Sequence, residues 1–259
     1  MILDDILAET RRNVGYCRFR MPLADLEKQA ETSRPPRSLA KALRSTKGMA
    51  CIAEFKRRSP SKGWIHRDAD VTTVLSAYEA AGAAAASVLT DAPFFGGSLD
   101  DLRRARSTAR LPLLRKDFII DPYQIVEARV AGADAVLLIV AALRDEDLRG
   151  LLAETARWGL EALVETHDAD EVARAVTAGA RIIGVNHRDL RTFDMNMELA
   201  VTMRPLIPED RVVVAESGIR NAADVRRLRA AGIDAILVGE TLMHAPNPAA
   251  ALRELVAEA

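Results

Sequence analysis

The sequence predicts a (β/α)8 barrel with an N-terminal helical extension, and three observations carry that prediction. The first is a repeat: Ala81-Gly82, Ala131-Gly132, Ala178-Gly179 and Ala231-Gly232 each end an amphipathic stretch and precede a short apolar run. Glycine just past a helix suits a left-handed cap, and the apolar run reads as a strand buried on both faces. The second is the spacing of about 50 residues between these glycines, long for one βα unit but right for two. The third is that the intervening strands are present, each short, apolar or β-branched, and followed by a polar residue. Eight strands alternating with helices fit an α/β fold of the TIM-barrel type. A doubly wound sheet is the alternative, but the Gly-rich GxGxxG turn that usually marks it is missing.

Taken in order, residues 1–47 precede the first strand and stand outside the repeat. Leu3, Ile6 and Leu7 share one helical face opposite polar residues, Pro35-Pro36 breaks the chain, and residues 38–44 restart a helix. This segment is too short and too charged for a core of its own, so it is expected to pack on the barrel, over one mouth. The whole chain, 1–259, is thus expected to be one domain. Strands are expected at 49–55, 84–89, 111–114, 135–140, 160–164, 181–185, 211–215 and 235–238. Helical patterns lie between them, for example at 70–81, 122–131, 168–178 and 221–231. Asp121-Pro122 and Asp145 read as helix starts, because Asp accepts from free amides and Pro suits the first turn.

Composition narrows the function. The 259 residues carry 36 basic and 37 acidic side chains, a net charge of −1, which removes the electrostatic case for nucleic acid or an anionic membrane. No apolar run reaches the ~18 to 20 residues that span a bilayer. Cys17 and Cys51 form no CxxC motif, and the start of the chain is acidic, so a reducing cytoplasm is expected. The four histidines show no metal-ligand spacing and neither cysteine joins them, so no metal is expected. Only six of the 36 basic residues are lysine, and Lys116 is the sole one after Lys62. A chain that prefers Arg but keeps Lys at one place points to an ammonium whose pKa can be tuned, which guanidinium cannot offer.

In this fold, chemistry gathers where strands end. Glu54 and Lys56 share a face at the end of the first strand and are expected to pair with each other or a ligand. Lys116, Glu165 and Glu216 close the third, fifth and seventh strands. Side chains from alternate strands form one barrel layer, so the four odd strands are expected to converge on a Lys and Glu suited to acid–base work. After the sixth strand, Asn186 offers a donor and an acceptor. Arg188 offers a fork for carboxylate or phosphate, or else holds its loop through Asp189. Ser217-Gly218 and Gly239 follow the last two strands, the habitual phosphate site of such barrels. The Phe94-Phe95 pair suits either a pocket for a planar ligand or a lid on the extension.

Seven segments together resemble indole-3-glycerol phosphate synthases. They are Ile52-Ala53-Glu54-Phe55-Lys56-Arg57-Arg58-Ser59-Pro60-Ser61-Lys62-Gly63, Leu89-Thr90-Asp91, Phe94-Phe95-Gly96-Gly97-Ser98, Leu114-Arg115-Lys116-Asp117-Phe118, Gly132-Ala133-Asp134-Ala135-Val136-Leu137-Leu138-Ile139, Gly184-Val185-Asn186-His187-Arg188-Asp189-Leu190 and Ala215-Glu216-Ser217-Gly218-Ile219. The resemblance runs in order along essentially the whole chain. It implies conversion of 1-(2-carboxyphenylamino)-1-deoxyribulose 5-phosphate to indole-3-glycerol phosphate, with loss of CO2 and water and no cofactor. It makes Lys116 the general acid of ring closure and Glu165 the general base of dehydration. Lys56 becomes a substrate ligand and proton donor, while Glu54, Asn186 and Glu216 orient substrate or lysines. Ser59, Phe95, Arg188, Ser217, Gly218 and Gly239 become substrate-binding residues. Ala92-Pro93 replaces more usual polar residues, and Glu240 stands where some members carry Ser, so no phosphate contact is assigned to it. A Schiff-base aldolase, another sugar-phosphate barrel and a catalytically silent binding barrel are the competing readings of the same strand ends.

Overall fold

The computed structural model describes residues 2–189, 192 and 194–257. Met1, Leu190, Arg191, Phe193, Glu258 and Ala259 lie outside the described residues, and with them the last position of the 184–190 segment. Eight parallel strands close a barrel: β1 (Ala50–Phe55), β2 (Ala85–Leu89), β3 (Leu113–Lys116), β4 (Ala135–Ile139), β5 (Glu161–Thr166), β6 (Ile182–Asn186), β7 (Val212–Glu216) and β8 (Ala235–Val238), with β8 pairing back to β1. Helices cover the outside, and the four Ala-Gly steps end helices with all four glycines left-handed, at φ 92, 91, 87 and 81°. The aspartates that open β4 and β8 tie each strand to its neighbour. Asp134 accepts from Leu113 N at 2.8 Å and Asp234 from Val213 N at 2.7 Å.

Two expectations about boundaries are corrected. β3, β5, β6 and β7 continue one or two residues past their apolar runs, so Lys116, Glu165, Asn186 and Glu216 lie inside the ladder, paired in register as Leu89↔Lys116, Ile139↔Glu165 and Asn186↔Glu216. Asp145 does not cap its helix; Arg144 holds that position, and Asp145 in the first turn accepts from Arg174 at 2.6 Å. Asp121 does cap, accepting from Tyr123 N at 2.8 Å with Pro122 in the first turn.

The extension forms α1 (Ile2–Arg20), α2 (Leu23–Thr32) and α3 (Leu39–Ser45), and it covers both ends of the barrel rather than one mouth. Ile2, Leu3 and Ile6 of α1 lie over the C-terminal ends of the strands. Leu39 and Leu43 of α3 are buried in the cluster that holds Ala50, Ala85, Ala135 and Ala235, small residues at the opposite end. Glu161 at the start of β5 anchors α3, accepting from Ser38 Oγ at 2.8 Å and Ala40 N at 2.7 Å. Leu39→Ala is expected to cost ~2 to 5 kcal/mol through lost burial and an unfilled cavity. Urea midpoints check this, and a loss below about 1 kcal/mol would show that the floor closes without the side chain.

Candidate active site

Register and barrel shear place the side chains of Glu54, Lys116, Glu165 and Glu216 in one interior layer, contributed by the four odd strands. Leu89, Ile139, Asn186 and Gly239 of the even strands form the layer above, and Ser87, Leu137, Gly184 and Leu237 the layer below. Glycines make room for the charges. A Cβ on Gly184 would stand 2.1 Å from Glu216 Oε1, and one on Gly239 would stand 2.4 Å from Glu54 Oε1. Gly239 is therefore required by the carboxylate beside it, whatever its amide binds.

Lys116 Nζ stands 3.5 Å from Glu165, 3.6 Å from Glu216 and 3.9 Å from Glu54. Lys56 Nζ pairs with Glu54 at 3.1 Å. Burial alone would lower the pKa of Lys116, but the carboxylates of Glu165, Glu216 and Glu54 outweigh it and hold the amine above the ordinary lysine range. Burial likewise pushes Glu54 upward, and Lys56 and Lys116 reverse that, leaving it below the ordinary carboxylate range. Glu165 ends low for the same kind of reason, with Lys116 and His167 overriding burial, whereas burial and the Glu165 charge carry Glu216 upward. A layer with three carboxylates around one ammonium thus drives two glutamates apart, Glu165 toward the charged form and Glu216 away from it.

The adjacent basic residues on β3 divide their work by face. Arg115 points outward, bonding Asp117 at 2.9 Å, Glu127 at 2.9 Å and Gln124 O at 2.8 Å, a fixed fork suited to guanidinium. Lys116 points inward. The same division explains Arg57 beside Lys56: Arg57 bridges to Asp101 at 2.6 Å and fixes the loop after β1.

All twelve site residues expected from the sequence line one cleft at the C-terminal ends of the strands, enclosing about 1120 Å³ with its open mouth included. Phe95 lines it and packs on Phe118 at a centroid distance of 6.0 Å. Phe94 does not line it, so the pair divides instead of forming one aromatic wall. Asp91 accepts from the amides of Phe94 and Phe95 at 2.8 and 3.0 Å, which fixes the loop start despite Ala92-Pro93. Ser59 is buried and accepts from Lys62 N at 3.3 Å. Asn186 Oδ1 accepts from Arg188 N at 3.1 Å.

At the opposite rim, Ser217 and Gly218 are both left-handed, at φ 67 and 75°. For serine this is a strained conformation, and a Cβ at Gly218 would also meet Met195 and Met197 at 2.4 Å. The helix after β7 caps itself through Asn221, away from Gly218, whereas Glu240–His244 starts directly at Gly239. Glu240 bonds Lys62 and lies 3.6 Å from Arg188, whose Nη1 donates to Ser61 at 3.3 Å. Arg188 is thus engaged across the cleft mouth.

Sequence reasoning passed over three contributors. Ile2, Leu3 and Ile6 supply the apolar roof; Leu3 and Ile6 were expected on the face that packs over a barrel mouth, but not as part of the site. His167 touches Glu165; strand alternation carries it to the same side, a signal present but not used. Leu89 and Ile139 above the charged layer and Leu137 and Leu237 below it give the cleft apolar walls, hidden among ordinary strand residues. Among the described residues, no group of three His, Cys, Asp or Glu is placed to hold a metal ion, and no helix is long and apolar enough to cross a membrane.

Fold and cleft define a TIM-barrel enzyme whose ionisable groups gather at the C-terminal ends of the strands. Solved structures agree on the fold: the chain aligns with a thiamine phosphate pyrophosphorylase from Pyrococcus furiosus at TM-score 0.61 and 18% identity, covering 84% of this chain and 96% of the other. The family model for indole-3-glycerol phosphate synthase matches residues 3–255, and the chain belongs to that family. It is 50% identical over 256 residues to the indole-3-glycerol phosphate synthase of Koribacter versatilis, covering 98% of each chain. Against that of Rhodopirellula baltica it is 47% identical, covering 99% of each.

Proposed function

We propose that this cleft converts 1-(2-carboxyphenylamino)-1-deoxyribulose 5-phosphate to indole-3-glycerol phosphate, CO2 and water, the indole-forming step of tryptophan biosynthesis. The observation that carries the reading is the convergence of Glu54, Glu165 and Glu216 on Lys116 beneath an apolar roof. As the carboxyl-bearing ring carbon attacks the ketone, Lys116 gives a proton to the oxygen that gains charge, an interaction stronger in the transition state than in the substrate. The ring carboxylate leaves as CO2 and its bonding pair returns to the ring. The new hydroxyl departs as water with a proton from Lys56, and Glu165 takes the proton released as the indole double bond forms. Glu54, Asn186 and Glu216 orient these groups, and Phe95 faces the anthranilate ring. A protonated Lys116 suits an acid and not a Schiff-base nucleophile, which needs the neutral amine. The barrel and its extension act as one domain, in a cytoplasm where Cys17 and Cys51 stay free thiols. Incubating the purified protein with this substrate should produce indole fluorescence and CO2; release of neither would sink the reading.

The substrate phosphate is assigned to Ser217, Gly218, Gly239, Ser59 and Arg188. Inorganic phosphate should then bind the folded state, inhibit competitively, and stabilise by about 2.7 kcal/mol at a hundredfold excess over Kd. Because Glu240 neutralises Lys62 and Arg188, Glu240→Gln is expected to strengthen this protection, and Arg188→Ala to weaken it. Thermal melts with and without phosphate check both, and protection indifferent to both variants places the anion elsewhere.

A further inference from the structure

We infer that His167 is a positioning residue for this reaction: its doubly protonated ring, clamped between Glu165 and Glu171, keeps Glu165 the ionised member of the carboxylate layer. The inference rests on the reading of Glu165 as the base. His167 directly follows β5, and its ring is almost buried. Its Nε2 lies 3.3 Å from Glu165 Oε1, a charge contact rather than an aligned hydrogen bond, and Nδ1 lies 3.0 Å from Glu171 Oε2. Glu171 is itself fixed. The same oxygen accepts the backbone N–H of His167 at 2.8 Å, and Asp168 caps the helix Ala169–Thr177 through Glu171 N at 2.8 Å. Local helix-start chemistry therefore sets the ring, independently of anything in the cleft.

The ring's protonation follows from what flanks it. A neutral imidazole has one N–H and one lone pair, so one of the two carboxylates would face a lone pair. Only the imidazolium presents N–H to both. Burial disfavours the charge, but Glu165 and Glu171 overcome it and push the pKa up to about 10. These two are the charged groups that face the ring among the described residues, one from the strand and one from the helix. On its other side Glu165 meets Lys116, with Asn186 alongside and Glu54 and Glu216 beyond the ammonium.

The consequence is an asymmetry between two buried glutamates at similar distances from Lys116. Each oxygen of Glu165 has a cation, Oε1 the imidazolium and Oε2 the ammonium. Glu216 has Lys116 alone, and neither of its oxygens makes a hydrogen bond within the described residues. Glu216 is therefore the less compensated of the two, and Glu165 is the one held ionised and free to accept a proton. His167 decides which glutamate is the base.

Nitrogen-15 spectra of histidine-labelled protein test the clamp without turnover, since ring shifts separate imidazolium from either neutral tautomer. His167 should remain doubly protonated through about pH 8, and a neutral ring there would overturn the inference. In kinetics, His167→Gln should move the acidic limb of the kcat profile up by about one pH unit or more, with KM little changed. Glu171→Gln keeps the ring and leaves the β5 interior untouched; it should move the limb the same way by less. A limb that stays put in both variants would also overturn the inference. Unimpaired turnover in Glu165→Gln would instead remove the base assignment, a separate failure that the spectra do not share.

Discussion

Lys116→Arg is expected to lose ~10² to 10⁴-fold in turnover while the protein still folds. The substitution keeps the positive charge among Glu54, Glu165 and Glu216, so the layer is not left with uncompensated carboxylates. What it removes is a proton that can be given up, because guanidinium does not deprotonate in proteins. Circular dichroism checks that the barrel survives. Indole fluorescence measures the loss. An Arg variant with ordinary turnover would show that the cation works by electrostatics alone, and the general-acid role would be withdrawn.

Glu165→Gln is expected to reduce kcat by ~10² to 10⁴-fold with KM changed by no more than about threefold. Glutamine fills the same volume and still offers an oxygen to His167, so geometry is preserved and basicity is not. The pH profile adds a second criterion. Glu165 is held below the ordinary carboxylate range, chiefly by Lys116 and then His167 against the opposing effect of burial, so the wild-type acidic limb should lie at low pH. A variant that binds substrate poorly but turns over normally would make Glu165 a binding residue.

The barrel was legible because its signals are periodic: left-handed glycines after helices and doubly buried strands are repeated four times over. The charged strand ends were legible because Lys116 stands nearly alone among arginines and because alternate strands share a layer. What hydropathy could not supply was the true strand ends. The top of the interior is polar, so the apolar run stops before the ladder does, and Lys116, Glu165, Asn186 and Glu216 look as if they follow strands in which they take part. His167 was missed because its alternation with Glu165 lies past the apolar end of the strand; its partner Glu171 becomes visible only once the helix start is placed. The pairing of Glu240 with Lys62 and Arg188 joins three distant loops, and no local pattern announces it.

The helices at the two ends of the barrel have a consequence during synthesis. Residues 2–45 leave the ribosome before any strand of this barrel exists, yet their resting places are assembled from strands along the rest of the barrel. α3 lies against β1, β2 and β7, and α1 lies over ends that are complete only when Gly239 has emerged. Leu3, Ile6, Leu39 and Leu43 must therefore wait, apolar and uncovered, until the ring closes. Such long-range closure slows folding and lengthens the exposure of sticky surface. The nascent extension is thus the segment most in need of shelter while the remaining strands are made.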